Sequence, residues 1–238
     1  MPGLMKWTSG PSPRNSNPGS IHQKHELKVR KHIMTTRVEF HFDFGSPNTY
    51  YCHRVIPAIE ERTGITFDYV PILLGGVFRA TNNKSPMEAF AGIKNKSEYN
   101  ALETQRFIKK HELSKFKFNP NFPVNTLHIM RGAICAMDKG ISKEYIEAVY
   151  QCMWEQELDM ADPEIIRSAL VAANLPADEL LSGSAEPTVK QKLIKSTEAS
   201  VNRGTFGAPT FFVDDEIFFG KDRLRDVEEE IVAQLARS

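Results

Sequence analysis

Val38-Glu39-Phe40-His41-Phe42-Asp43-Phe44-Gly45-Ser46-Pro47 is the stretch on which the reading of this chain turns. Apolar residues fill every second place from Val38 to Phe44, with Glu39, His41 and Asp43 between them. That period of two, rich in aromatics, predicts a strand. Gly45 ends it, and Ser46-Pro47 is a helix-start pair, with serine as the N-cap and proline in the first turn. A helix is predicted from Pro47 to about Arg62, with Tyr50, Tyr51, Val55, Ala58 and Ile59 on its apolar side. Pro57 should bend it or break it locally. Thr63-Gly64 closes it through a left-handed glycine cap. Ile65 to Ile72 reads as a second strand, so that strand, helix and strand fit a right-handed βαβ unit.

Working outward, the chain changes character. From about Pro86 to Arg203 only helical periods recur: Leu127, Met130, Ile134 and Met137 share a face, as do Tyr145, Ala148, Val149, Cys152 and Met153. Asp162-Pro163 and Pro187 open further helices, and Val189, Leu193, Thr197 and Val201 follow in helical step. Asn202-Arg203-Gly204 reads as a helix C-terminus. Strands return with Thr210-Phe211-Phe212-Val213, a hairpin turn at Asp214-Asp215, and Glu216-Ile217-Phe218-Phe219. A last helix carries Leu224, Val227, Ile231, Val232 and Leu235.

The 238 residues carry 30 basic and 30 acidic groups, and this balance argues against a nucleic-acid partner, which usually leaves a basic excess. Residues 1–33 hold six of the basic groups and one acid, leaving a mildly acidic body. That segment mixes Pro, Gly, Ser, Asn and Lys without apolar periodicity. It reads as a disordered extension or an upstream start before Met34, rather than as an amphipathic transit peptide. Cys52, Cys135 and Cys152 form no CxxC pair and no disulfide framework, which suits a reducing, cytoplasmic setting. No apolar run is long enough for a membrane span, and no His/Cys spacing suggests a metal. His41, inside a strand, reads as structural. Trp154 reads as core, with the wall of a substrate pocket as the alternative.

Four stretches carry a resemblance. Phe42-Asp43-Phe44-Gly45-Ser46-Pro47 resembles the opening motif of the 2-hydroxychromene-2-carboxylate isomerases, kin of the kappa-class glutathione transferases in the DsbA-like branch of thioredoxin folds. Thr81-Asn82-Asn83-Lys84-Ser85-Pro86, Phe206-Gly207-Ala208-Pro209 and Phe219-Gly220-Lys221-Asp222-Arg223 are similar to the family's later motifs, in family order. The resemblance spans about residues 37–236. It implies an α/β thioredoxin fold with a large all-helical insertion: a disordered extension over 1–36, a thioredoxin-like domain from 37–84 and 204–238, and a helical insertion domain over 85–203. It also implies a homodimer.

Chemistry follows from position. Unpaired N–H groups at a helix N-terminus carry partial positive charge and stabilise an anion. In redox relatives that anion is a cysteine thiolate. Ser46 and Thr49 stand at the two CxxC places here. A serine stays protonated near neutral pH but donates a hydrogen bond to a thiolate brought by another molecule. The alternative for Ser46 is a plain N-cap. The resemblance implies that the thiolate is that of glutathione, a cofactor, with Ser46 as the catalytic residue. Ala208-Pro209 is implied to be a cis pair whose Ala208 backbone meets the cysteinyl portion, as in strand addition. Asp222 is implied to take the γ-glutamyl ammonium, and the N–H groups of Lys221 and Asp222 its carboxylate. The Lys221 charge should suit that carboxylate as well. Asn83 is implied to reach the ligand from the loop after the second strand. Lys96, with Lys94 as competitor, is implied to meet the glycyl carboxylate. The implied reaction is cis/trans isomerisation of an aromatic or enone substrate by reversible thiol addition. Alternatives are a kappa-type transferase, a non-catalytic binder, and a thiol oxidoreductase, against which the missing CxxC speaks.

Overall fold

In chain order the elements are β1 (Val38–Phe42), α1 (Pro47–Thr63), β2 (Phe67–Pro71), α2 (Leu74–Thr81), α3 (Pro86–Ala89), α4 (Lys96–Lys110), α5 (Leu127–Asp138), α6 (Ser142–Trp154), α7 (Pro163–Ala172), α8 (Ala177–Ala185), α9 (Pro187–Asn202), β3 (Thr210–Val213), β4 (Glu216–Phe219) and α10 (Leu224–Arg237), the last preceded by a 3₁₀ turn at Lys221–Arg223. The computed structural model describes residues 36–237. The extension expected over 1–36 lies, but for Thr36, outside the described residues.

The sheet order is β2-β1-β3-β4, with β1 parallel to β2 and the other two pairings antiparallel. This is the mixed four-stranded sheet of a thioredoxin-like fold, with the helical segments between β2 and β3. Strand β1 is buried along its whole length, as expected of a central strand covered on both faces. On one face Phe40 stacks against Phe211 at 5.2 Å and meets Tyr69 edge-on at 5.0 Å, and Phe42 packs against Phe44 and Tyr150. Helix α1 covers this face: His53 Nδ1 lies 2.8 Å from the Tyr69 hydroxyl, and the Phe67 N–H donates to Glu60. Helix α10 is pinned beside α1 by a two-pronged Arg62–Glu228 pair.

The opposite face is covered by α9. There Ser200 Oγ lies 2.7 Å from His41 Nδ1, and the Ser196 hydroxyl donates to the Pro71 carbonyl. Glu39 and His41 are therefore buried although they occupy the polar positions of the strand. Burial pushes the His41 pKa down to about 4, against the raising effect of Glu39. Burial pushes Glu39 up, but hydrogen bonding and charge from Arg203 outweigh it and hold its carboxyl below the usual range. Arg203 does more than end α9: its guanidinium pairs with Glu39 and lies 3.8 Å over the Phe212 ring.

Two local expectations are corrected, and one helix lies where none was expected. Helix α1 continues through Pro57 without a break and ends on Gly64 at φ 72°, because its buried face from Tyr50 to Ile59 outweighs one lost backbone hydrogen bond. The second strand is shorter than Ile65–Ile72. The following Leu74–Thr81 is helical despite Gly75-Gly76, a pair of low helix propensity. Tertiary bonds start that helix: the Leu73 N–H donates to Thr197 and the Leu74 N–H to Asp43. Trp154 is core, fully buried with its indole N–H donating to the Phe44 carbonyl at 2.9 Å.

Candidate active site

Ser46 occupies the N-cap position of α1 in an extended conformation, φ −95° and ψ 117°, but its side chain caps nothing. The hydroxyl instead donates across the sheet end to the Ala208 carbonyl, at 3.2 Å. The plain-cap reading therefore fails on geometry. The backbone does the holding: Ser46 N–H donates to Asp43 O, and the Thr49 and Tyr50 N–H groups donate to Ser46 O. Thr49, at the second CxxC place, is fully buried, with its hydroxyl 2.7 Å from Ser46 O and 2.8 Å from Asp43 O. No acidic side chain stands in the first turn of α1; the nearest carboxyl, that of Asp43, is taken up by the Gly45 and Leu74 N–H groups.

The Ala208-Pro209 bond is cis. Pro209 O accepts from the Gly220 N–H at 2.9 Å, which ties the start of Lys221-Asp222 to the same segment. Asn83 Nδ2 donates to the Phe206 carbonyl at 2.7 Å, and its Oδ1 accepts from the Lys84 N–H. Ser46, Ala208, Pro209, Lys221 and Asn83 are thus joined through the 206–209 segment. Asp222 follows with an exposed carboxylate.

Two expected residues behave differently. The Lys221 side chain is buried, its ammonium 2.5 Å from the Asp222 carboxylate and 5.1 Å over the Phe107 ring. Its charge is committed within the protein and does not reinforce an anion site, because the aromatic floor and Asp222 already stabilise it. Lys96 begins α4 with its ammonium 4.9 Å over the Phe90 ring. No contact joins it to Ser46, Ala208 or Asp222 among the described residues.

Other residues of the site were not singled out from the sequence. Asp43 is fully buried; burial raises its pKa, opposed by hydrogen bonds from the Leu74 and Gly45 N–H groups and from Thr126. It knots the β1–α1 turn to the starts of α2 and α5. An acid inside an otherwise aromatic run was the available signal. Thr126 lies so close to Gly45 that a Cβ there would meet its methyl at 3.0 Å, and it follows the proline-rich stretch Asn119-Pro120-Asn121-Phe122-Pro123. Phe206 and Phe219 form a half-exposed ring pair, centroids 4.4 Å apart, beside the Ala208 segment.

The arrangement has no thiol of its own. Cys52, in the second turn of α1, is fully buried, and burial pushes its thiol well up. The other two cysteines are also buried.

The chain is similar to a 2-hydroxychromene-2-carboxylate isomerase of Sphingobium xenophagum, 29% identical over 195 residues, covering 82% of this chain and 97% of that one. It is 26% identical over 205 residues to the human glutathione S-transferase kappa 1, covering 79% and 87% of the two chains. Its fold matches a solved 2-hydroxychromene-2-carboxylate isomerase with a TM-score of 0.72 at 23% identity, over 84% of this chain and 96% of that one. The family profile described as DSBA-like thioredoxin domain matches residues 37–232, more than half of the chain, and with the sheet order and the Ser46–Ala208 geometry this leads to one conclusion: the chain belongs to the DSBA-like thioredoxin domain family.

Proposed function

We propose that this chain is a glutathione-dependent isomerase of the 2-hydroxychromene-2-carboxylate type. The observation that carries this reading is the Ser46 hydroxyl. It does not cap its helix, lies at the positive end of α1, and meets the Ala208 carbonyl where a redox relative would present its own sulfur. The curated relative named 2-hydroxychromene-2-carboxylate isomerase supports the isomerase reading, and the one named glutathione S-transferase kappa 1 supports glutathione as the thiol.

The residues present fit a tripeptide thiol. Ser46 supplies a hydroxyl that can turn from Ala208 O to an incoming anion, the half-buried backbone of Ala208 can pair with a peptide, and the buried cysteines leave the thiol role vacant. When bound, glutathione supplies a sulfur nucleophile for reversible addition to a conjugated substrate. The protein's part is electrostatic and positional. The N-terminus of α1 and the Ser46 O–H favour the charged form of a group placed between them. Asp43 and Thr49 hold the turn so that these donors need no rearrangement. Asn83 fixes the Phe206 carbonyl and with it the segment leading to Ala208. Asp222 pairs with the Lys221 ammonium through one oxygen, and its exposed carboxylate leaves the other for a ligand ammonium group.

The test is a thiolate absorbance titration of the protein saturated with glutathione. The midpoint should fall below the roughly 8.5 of a free cysteine thiol. A midpoint at the free value defeats the reading. Free glutathione should also stay constant during turnover; its steady consumption would identify a conjugating transferase instead.

A further inference from the structure

Helices α2, α5 and α9 line an open pocket of about 380 Å³ that no step above uses. Its walls are apolar, formed by Leu73, Leu127, Leu193 and Ile194. Arg131 projects into it from α5. The Arg131 Nε is shielded from solvent, and its guanidinium has no hydrogen-bond or ion-pair partner among the described residues. A guanidinium nitrogen buried without an acceptor is costly, and the planar fork of the half-buried group matches a carboxylate. At the rim, Arg79 and Lys190 outnumber Glu198, so the field favours an anion.

The pocket adjoins the turn that carries Ser46. Leu73 directly precedes Leu74, whose N–H is bonded to Asp43. Leu127 directly follows Thr126, which abuts Gly45. A volume of this size falls within the usual range for small-ligand sites. We propose that this pocket takes the carboxylate-bearing end of a conjugated aromatic acid, with Arg131 as the residue that selects for the carboxylate. The identification of that acid as the substrate rests on the isomerase reading; the carboxylate site itself does not. Arg131 acts on specificity and is not placed in the chemistry at Ser46.

The experiment is calorimetric binding of trans-cinnamate, and of its neutral amide, to the full chain without glutathione. Wild type should bind cinnamate in preference to the amide. Arg131→Met should weaken cinnamate by about tenfold to a hundredfold, the loss expected for one charge-assisted interaction, and leave the amide unchanged. Arg131→Lys, which keeps the charge but not the fork, should fall between them, and it serves if the methionine variant does not fold. In steady-state assays with 2-hydroxychromene-2-carboxylate, Arg131→Met should raise KM with kcat little changed, and the thiolate titration should not move. Equal cinnamate binding by wild type and variants, or no saturable binding by wild type, overturns the pocket assignment. If the isomerase reading is the one at fault, wild type shows no glutathione-dependent turnover while the cinnamate difference persists.

Discussion

Replacing Ser46 with alanine separates catalysis from folding at a single atom. In the structure the hydroxyl has one partner, the Ala208 carbonyl at 3.2 Å. That is longer than the usual 2.5–3.0 Å for an O–H···O bond, and the half-buried Ala208 can recruit water in its place. The folding cost of losing it should therefore be about 1 kcal/mol or less, a fall in Tm of about 2–4 °C for a chain of this size. No capping bond is lost, since none is made. Turnover should respond quite differently. Removing one donor that stabilises a developing or resident anion typically costs about 10²–10³ in rate, roughly 2.7–4 kcal/mol. The assay is glutathione-dependent isomerisation by the purified variant, with its melting curve recorded alongside. The expected outcome is a folded protein with turnover down a hundredfold or more, and a thiolate midpoint shifted upward. Undiminished activity would refute the reasoning. So would a loss of activity that merely tracks a large fall in Tm.

Two further outcomes follow from groups buried away from Ser46. Cys52→Ala should leave turnover and the thiolate titration unchanged, because the thiol is fully buried and burial pushes its pKa well up; rapid labelling of native Cys52 by a thiol reagent, or loss of the absorbance signal in the variant, would return the protein to redox chemistry. Between pH 6.5 and about 4 the unfolded chain binds a proton at His41 that the folded chain refuses, so stability should fall as pH drops through that window, by about 3 kcal/mol at most from this residue. Denaturant titrations of His41→Gln against wild type should lose that share of the slope, while His53 and His111, and towards pH 4 the carboxylates of Glu39 and Glu147, add to the slope in the same direction; parallel curves for the two proteins would exclude the assignment.

Much of the frame was legible in the order of residues. Alternation from Val38 to Phe44, the Ser46-Pro47 helix start, Gly64 at the helix end and the Asp214 turn all act through the backbone of neighbouring residues, so a local reading reaches them. The α2 helix was not legible, because Gly75-Gly76 argues against it and its support comes from Asp43 and Thr197, remote in sequence. Lys221 and Lys96 show the same limit: a lysine's charge is visible in a sequence, but the Phe107 and Phe90 rings that engage these two are set by packing.

The sequence by itself determined that a strand of alternating character runs into a helix beginning at Ser46, and that no CxxC pair follows it. Only the tertiary structure decided what those residues do. Strand alternation assigns Glu39 and His41 to a polar face, but α9 folds over that face and buries them with Ser200 and Arg203. A serine before a helix is by local energetics a cap, yet the strand pairing of β1 with β3 carries Ala208 to the same end of the sheet and draws the hydroxyl to its carbonyl. Both outcomes depend on groups more than 150 residues away in the chain. Side-chain roles at such places are set by whichever partner the fold delivers, and local propensity carries no information about that partner.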